Sequence, residues 1–324
     1  MPGRLTWRPR WAFPATAGIL LLLLPVFTAE AAAPPNGDDA AVIDTVIVRG
    51  NRVTRPFVII NEMELGAGRR AEPAALERDR RRLESLGLFS RAKLFTEALG
   101  DGRVALVVQV TELWYIWPGL FVALDERALD EWNLKRVSLG VILTHNNFRG
   151  RRETLSIAGK VGSPQGGDFR WDIPYLLPAR RDWTLRLQGN AQRIEEPLNL
   201  RQREGIVLDE VGLSATVGRR YSLENAVSLM LEAQSRRFSR YGDTPVLPPG
   251  DAPERYDRFV GSRVTFLRDT RLYKPWPTAG YKATLSLSGA RSVDDGGVRY
   301  LQPEAELALF HGFSRTWIIA GLAQ

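Results

Sequence analysis

Cysteine is absent from the sequence, which excludes disulfide bonds, thiolate metal sites and a thiol nucleophile. Histidine is scarce, and its two residues, His145 and His311, are predicted to be surface residues, the first in a turn and the second near a strand end. The sequence also lacks a Gly-x-Ser-x-Gly elbow, a phosphate-binding glycine loop and a calcium loop. We therefore expect a protein that is not an enzyme, with no catalytic, cofactor-binding or metal-binding residues and no cofactor.

No apolar run reaches the roughly 20 residues that a membrane-spanning helix needs. A shorter run has the three parts of a signal peptide, namely a basic start, an apolar core and a small-residue cleavage site: Arg4, Arg8 and Arg10, residues 17–24, and residues 29–31. Because a proline interrupts the run, a membrane anchor is the weaker alternative. We predict a signal peptide over residues 1–31, a linker over 32–40, and any membrane insertion by strands.

A concentrated block of charge is also missing. The net charge is +7, but the basic residues are scattered through alternating segments. Scattered charge is typical of a solvated surface, so we predict no nucleic-acid partner.

What is present begins with a compact unit at residues 41–112, where the periodicity changes three times. A β-branched strand over residues 42–48 ends at a turn in which Gly50 and Asn51 can take positive φ. The hydroxyl of Thr54 is then expected to cap a short helix that has Pro56 in its first turn. The residues expected to share one side of this helix are Phe57, Ile60 and Met63.

A second helix is predicted over residues 73–86, and Gly87 is its expected stop. Its apolar stripe is Leu76, Leu83 and Leu86, and its predicted water-facing residues are Arg78, Arg80, Arg81, Arg82 and Glu84. Strands follow over residues 91–95 and 104–110, around a turn at Gly100-Asp101-Gly102. Val104, Leu106, Val108 and Val110 alternate on one face of the last strand.

This order of strand, helix, helix, strand, strand resembles a polypeptide-transport-associated (POTRA) domain. The matching segments are residues 46–51, 83–89 with Gly87 and Phe89, and 104–112. A generic small α/β domain is the alternative. The resemblance implies a periplasmic domain that binds unfolded or partner chains by adding a strand to a sheet edge. The residues expected to bind a client strand there are Lys93, Leu94 and Phe95.

From residue 113 onward, windows of about ten residues alternate apolar with polar side chains. Clear examples cover residues 154–161, 183–191, 227–234 and 281–289. A soluble β-sandwich also alternates, but its strands average five to six residues, whereas tilted membrane strands need about nine to eleven. Because every backbone group in lipid must be paired, strands of this length favour a transmembrane β-barrel.

The charged and aromatic residues of these windows fit a barrel. Charges expected on a wet inner face are Lys160, Arg186, Glu232, Lys282, Glu304 and Glu306. Tryptophans expected at headgroup level are Trp114, Trp117, Trp171, Trp183, Trp276 and Trp317.

Three motifs in this region resemble the bacterial surface antigen family of outer-membrane protein assembly factors. They occupy residues 147–151, residues 172–175, and residues 266–271 with 277–281, the last including Arg268, Asp269, Arg271 and Gly280. Asp269 is expected to form an ion pair with Arg268 and Arg271 or to anchor a loop. In the family the contact between first and last strands is weakly paired, which implies that an edge can template a client strand. The residues that would do so here are Gly119, Leu120, Phe121 and Val122.

The sequence departs from the family in strand number. We count about eleven candidate strands where the resembled barrel has sixteen, and the family's Arg-Gly-aromatic loop is absent. The fold predicted is thus an N-terminal α+β POTRA-like domain over residues 41–112, followed over 113–324 by an antiparallel transmembrane β-barrel that is partial. Either the chain is a fragment of a longer product, or it cannot form a complete barrel alone.

The expected function is assembly, insertion or translocation of polypeptides at the outer membrane of a Gram-negative bacterium, with the N-terminal domain in the periplasm. The expected partners are outer-membrane lipid and unfolded client polypeptides, with periplasmic accessory proteins as further candidates. The alternatives are a passive channel, a structural surface antigen, or a non-functional fragment.

Overall fold

The structure is a computed structural model that describes residues 41–100, 103–124, 137–162, 164–177, 182–199, 204–241, 254–271, 277–294, 299–312 and 318–323. The predicted signal peptide and linker, most of the turn at residues 100–102, Trp276 and Trp317 lie outside these residues. Neither of the helices described is long and apolar enough to cross a membrane.

The N-terminal domain contains the five elements in the predicted order. Their bounds are β1 Val42–Arg49, α1 Pro56–Ile60, α2 Pro73–Glu84, β2 Phe89–Gly100 and β3 Arg103–Glu112. The sheet order is β1-β3-β2, with β1 parallel and β2 antiparallel to β3. Side chains of both helices share one core with the strands, including Ile59, Leu83 and Leu106. The domain therefore has the α+β architecture that the sequence predicts.

The first helix differs from its prediction. It has five residues, its N-cap is Arg55, and no side chain caps it, so the role predicted for Thr54 is wrong. The consecutive residues Val58 and Ile59 are fully buried, whereas Ile60 is 38% exposed. A helix of little more than one turn has no extended stripe, and buries whichever residues face the sheet.

The second helix ends at Glu84 and is followed by Gly87, which has a φ of +70°. Leu83 is buried as predicted, and Leu76 and Leu86 pack partly against the core. The helix also buries Asp79 completely, which its charged sequence did not indicate.

Gly50 fixes the turn after β1. Its φ is +86°, and a Cβ on it would lie 2.1 Å from the carbonyl oxygen of Val110. The turn therefore needs glycine both for its conformation and for the close approach of β3.

The remaining strands form one antiparallel sheet of eleven strands, in sequential order from β4 to β14. Their bounds are β4 Ile116–Leu124, β5 Val137–Phe148, β6 Glu153–Gly162, β7 Gln165–Ile173, β8 Trp183–Asn199, β9 Glu204–Arg220, β10 Asn225–Tyr241, β11 Glu254–Asp269, β12 Ala279–Ser292, β13 Arg299–Gly312 and β14 Ile318–Ala323. Across the described residues β4 and β14 are the two end strands, so the prediction of about eleven strands in an unclosed barrel is confirmed.

Strand length differs between the first four strands of this sheet and the next four. β4 to β7 have 9 to 12 residues, whereas β8 to β11 have 16 or 17. Since about nine to eleven residues cross a bilayer, the longer strands extend well beyond that thickness. The alternating windows of about ten residues in the sequence underestimated the length of these strands, because apolar and polar residues alternate less clearly in their polar extensions.

The two faces of the sheet differ as predicted. The apolar face is open to the surroundings. Its outward residues include Leu120, 81% exposed, Leu213, 61%, Leu285, 56%, and Leu301, 71%. The polar face, on the other side, lines clefts of about 610 and 670 Å³. No described element covers the apolar face at these residues, which argues against a β-sandwich.

Charged side chains on the polar face have polar partners on neighbouring strands or on the next strand but one. Lys282 Nζ donates to Glu306 at 3.1 Å, and Arg186 pairs with Asp172. Lys160 Nζ donates to Gln192 at 3.3 Å, and Arg263 lies 3.9 Å from Glu304. Glu232 and Glu304 also face this side by register.

The described tryptophans lie at one end of the sheet. We call this the POTRA-side end, defined by the turns that join β5 to β6, β7 to β8, β9 to β10 and β11 to β12. Trp114 and Trp117 are exposed at the start of β4, and Trp171 and Trp183 are half-buried near the ends of β7 and β8.

The predictions for the two histidines differ in outcome. His145 lies within β5, half-buried, with its ring stacked on Tyr115 at 6.5 Å, so its assignment to a surface turn is wrong. His311 is exposed near the end of β13, as predicted.

Candidate functional site

The N-terminal domain contacts the sheet at its POTRA-side end, through a junction of hydrogen bonds and ion pairs. Two loops of the domain take part, at residues 53–55 and 61–65. They meet the β5–β6 turn, the β7–β8 connection and the end of β9.

Glu62 is the centre of the first contact. Its Oε1 accepts hydrogen bonds from Arg152 Nη1 at 2.7 Å, Arg220 Nη1 at 2.6 Å and the hydroxyl of Tyr175 at 2.6 Å. Glu62 is 5% exposed and Tyr175 is 1% exposed. One carboxylate of the domain thus joins three separate segments of the sheet.

The loop that carries Glu62 is held by Asp79 of α2. The carboxylate of Asp79 accepts the backbone N–H of Glu64 at 2.9 Å and that of Leu65 at 2.9 Å. Burial raises the pKa of Asp79 in spite of these two donors. Glu62 therefore enters the junction from a fixed backbone.

The electrostatics of Glu62 follow from its two arginines. Burial alone would raise the pKa of Glu62, but the charges of Arg152 and Arg220 and the hydrogen bonds from Arg220 and Tyr175 lower it to about 2. The carboxylate is therefore ionised at any physiological pH. Burial, with the nearby charge of Glu62, raises the pKa of Tyr175, which remains a neutral donor.

Thr54 is the centre of the second contact. Its hydroxyl lies 3.0 Å from the Tyr115 hydroxyl and accepts from Asn147 Nδ2 at 2.9 Å, while the Asn147 Oδ1 accepts the Arg152 N–H at 2.8 Å. The N–H of Thr54 donates to Glu112 at 2.7 Å. The residue predicted to cap a helix instead connects the domain to the sheet.

The β5–β6 turn has an unusual backbone. Arg149, Gly150 and Arg152 have φ values of +57°, +68° and +59°. Gly150 accepts the N–H of Arg55 at 2.8 Å, and a Cβ on it would lie 2.1 Å from the Val53 carbonyl oxygen. The Asn-Phe-Arg-Gly-Arg motif is thus the segment that docks onto the N-terminal domain.

The predicted client-binding residues lie on edge strands. Lys93, Leu94 and Phe95 are in β2, and Gly119 to Val122 are in β4 at the end of the large sheet. The structure does not bring the two groups together in one site. Both groups remain predictions.

The outer edge of β2 is open along part of its length. Glu84 accepts the N–H of Ala92 at 3.3 Å, so this N–H points away from β3. By the two-residue period of a strand, the N–H groups of Leu94 and Thr96 point the same way. By contrast, residues 68–71 bond to the start of β1 on its outer side.

The two parts of the motif at residues 266–281 contact each other locally. The Asp269 carboxylate accepts two bonds from the Arg271 guanidinium, at 2.8 and 3.0 Å, which confirms that ion pair. Arg268 lies instead over the Tyr281 ring at 5.7 Å. The backbone of Thr270 pairs with that of Tyr281, and Gly280 beside it has a φ of +100°.

Two family models match these domains. The POTRA model, described as "Surface antigen variable number repeat", matches residues 41–113, and the model "Omp85 superfamily domain" matches residues 147–323, which is more than half of the chain. The chain belongs to the Omp85 superfamily. Membership supports an outer-membrane β-barrel with the POTRA domain in the periplasm.

Solved structures of Omp85 proteins share the fold. BamA from Haemophilus ducreyi lacking POTRA domains 1–3 is 16% identical to this chain, with a TM-score of 0.56. The match covers 86% of this chain and 54% of the BamA chain. CdiB from Escherichia coli is 13% identical with a TM-score of 0.51, and covers 88% and 54%. The chain thus spans about half the length of each. No curated protein sequence matches it.

Within the described part of the Omp85 chain, no group of three or more His, Asp or Glu residues could hold a metal ion. Sequence reasoning missed Glu62, Arg152 and Arg220 because their partners lie 90 and 158 residues apart. The available signal was an acidic residue two positions after a short apolar helix.

Proposed function

We propose that this chain is part of an outer-membrane factor that assembles, inserts or translocates polypeptides, without chemical catalysis. The POTRA domain receives an extended client segment in the periplasm, and the barrel edge at β4 pairs with a client strand. Outer-membrane lipid and unfolded polypeptides are its partners, and periplasmic accessory proteins are further candidates.

The state of β4 is the observation that carries this proposal. β4 pairs with β5 on one side, and no strand described in the structure pairs with its other side. Its apolar face is open, with Leu120 81% and Val122 61% exposed. Unpaired backbone groups in hydrocarbon cost several kcal/mol each, so an edge strand in lipid favours addition of another strand.

The POTRA edge can supply an earlier binding step. β2 presents outward N–H groups at Leu94 and Thr96, and the side chain of Phe95 is 38% exposed beside them. Strand addition uses backbone groups more than particular side chains, which suits clients of varied sequence.

Cysteine crosslinking tests the barrel step, because the chain has no native cysteine. Leu120→Cys in the full-length protein should form a disulfide with single cysteines placed along the last strand of an unfolded outer-membrane porin. The matched control is Leu213→Cys, which replaces another leucine exposed on the apolar face, in β9, a strand that has neighbours on both sides.

We expect several-fold more crosslinked product at residue 120 than at residue 213. Equal yields at the two positions would contradict strand addition at β4. The second candidate function, a passive channel, is favoured by the charged clefts on the polar face. Steady bilayer conductance together with equal crosslinking would support the channel.

A further inference from the structure

Two arginines oppose each other directly on the apolar face of the sheet. Arg291 of β12 and Arg299 of β13 are register partners, and both are exposed. Arg291 lies on the same face as Leu287 and Leu285, which are four and six residues before it in β12. Like charges at directly opposed positions repel each other, so this pair is unfavourable as it stands.

No described carboxylate pairs with either arginine. The nearest other arginine on this face, Arg258 of β11, is already neutralised, since its guanidinium donates to Asp294 at 2.8 and 3.1 Å. Among the described residues, the two opposed guanidinium groups therefore form a positive site without a carboxylate partner. Guanidinium groups bind phosphate oxygens with paired, charge-assisted hydrogen bonds.

The position of the site along the strand indicates what kind of phosphate it meets. Tyr281, at the POTRA-side end of β12, and Arg291 lie on the same face. At about 3.3 Å per residue and a tilt of about 40°, they are about 25 Å apart along the barrel axis, which is the height of the apolar band of an outer-membrane barrel. Arg291 and Arg299 thus lie at the border of the hydrocarbon that is far from the POTRA domain.

Exposed apolar side chains lie directly on the hydrocarbon side of the arginines. Leu301, two residues from Arg299, is 71% exposed, and Leu287 is 48% exposed. A free phosphate ion would gain no favourable contact with this apolar surface. An acyl chain would cover it while its headgroup meets the arginines.

We propose that Arg291 and Arg299 form a binding site for the phosphate group of a lipid in the leaflet away from the POTRA domain. The phosphate bridges the two strands and removes the repulsion between the opposed arginines. The assignment of the leaflet rests on the proposed outer-membrane function, but binding of a lipid phosphate does not.

The test measures lipid binding to the full-length protein in a nonionic detergent by native mass spectrometry. The probes are phosphatidylglycerol, phosphatidylcholine as the lipid without net charge, and inorganic phosphate as a competitor. R291Q/R299Q removes both charges. The matched control R236Q/R263Q removes two charges from the polar face of β10 and β11, and retained β-sheet circular dichroism checks the fold of each variant.

We expect R291Q/R299Q to weaken phosphatidylglycerol binding by about fivefold for each arginine removed, with phosphatidylcholine binding unchanged and the control within about twofold of the parent protein. R299Q alone should weaken phosphatidylglycerol binding by the smaller factor expected for one arginine. This single variant is the test if the double variant does not fold. Unchanged phosphatidylglycerol binding in the variants, or full competition by millimolar inorganic phosphate, would overturn the proposal. Because no client is present, failure of the crosslinking at β4 leaves this result unaffected.

Discussion

At the scale of single residues, the contacts of Glu62 predict a large effect of this residue on stability. A carboxylate that is buried with two arginines and a tyrosine hydroxyl loses more than one hydrogen bond when it is replaced, because both arginines keep their charge. The lowering of the Glu62 pKa from 4.5 to about 2 corresponds to about 3 kcal/mol of folding free energy.

Glu62→Gln should therefore lower the free energy of unfolding by about 3 kcal/mol at pH 7, as measured by urea titration of the folded protein in micelles. Because the pKa is lower in the folded state than in the unfolded state, the contribution is complete above pH 4.5 and is lost as the pH falls from 4.5 towards 2. The difference between variant and parent should shrink over that window.

Glu64→Gln is the matched control. Glu64 lies on the same loop and pairs with Arg82 at 3.0 Å, but its side chain is 41% exposed. Exposed ion pairs contribute about 0–1 kcal/mol, so this variant should be nearly neutral. If Glu64→Gln lowers the free energy of unfolding as much as Glu62→Gln does, the measurement does not report on the contacts of the junction.

At the scale of elements, the backbone N–H groups of β2 point alternately to the open edge and to β3. Thr96 presents its N–H to the open edge, whereas the N–H of Phe95 points to β3. Proline removes a backbone donor and is tolerated where that donor faces outward.

Thr96→Pro should keep the POTRA fold but reduce client crosslinking at Lys93 by several fold, because one donor for an added strand is lost. Phe95→Pro should instead break the ladder to β3 and melt the domain, which amide hydrogen exchange would detect. The edge is not a client site if Thr96→Pro crosslinks as well as the parent protein.

The elements also show what local pattern can and cannot predict. Strand positions in the large sheet follow from alternation at Leu285 and its neighbours, and the helix over residues 73–84 follows from its apolar stripe. The role of Thr54 was misassigned because its hydroxyl partner, Asn147, is 93 residues away. Contacts of that range depend on the assembled sheet and leave no local periodicity.

At the scale of the whole molecule, the two faces of the sheet meet different surroundings. Leu285 is exposed on the apolar face, and its neighbour Ser286 lies on the polar face, where its hydroxyl donates to Glu304 at 3.3 Å. In a membrane barrel the first contacts lipid and the second contacts water.

Single cysteines at these two adjacent positions should therefore react differently in proteoliposomes. Ser286→Cys should be labelled by a water-soluble maleimide at least about tenfold faster than Leu285→Cys, because the thiolate is rare in hydrocarbon. A lipid-embedded quencher should show the reverse order with fluorescent labels. Similar rates at both positions in folded protein would point to a soluble sheet.

The junction at Glu62 also has a consequence for the order in which the chain folds. The carboxylate needs Arg152 and Arg220, and the second of these is available only after β9 has reached its place beside β8. Contacts between residues so far apart in sequence form late, since the intervening chain must be ordered first. We therefore expect docking of the N-terminal domain through Glu62 to be complete only when the four strands from β6 to β9 are correctly registered.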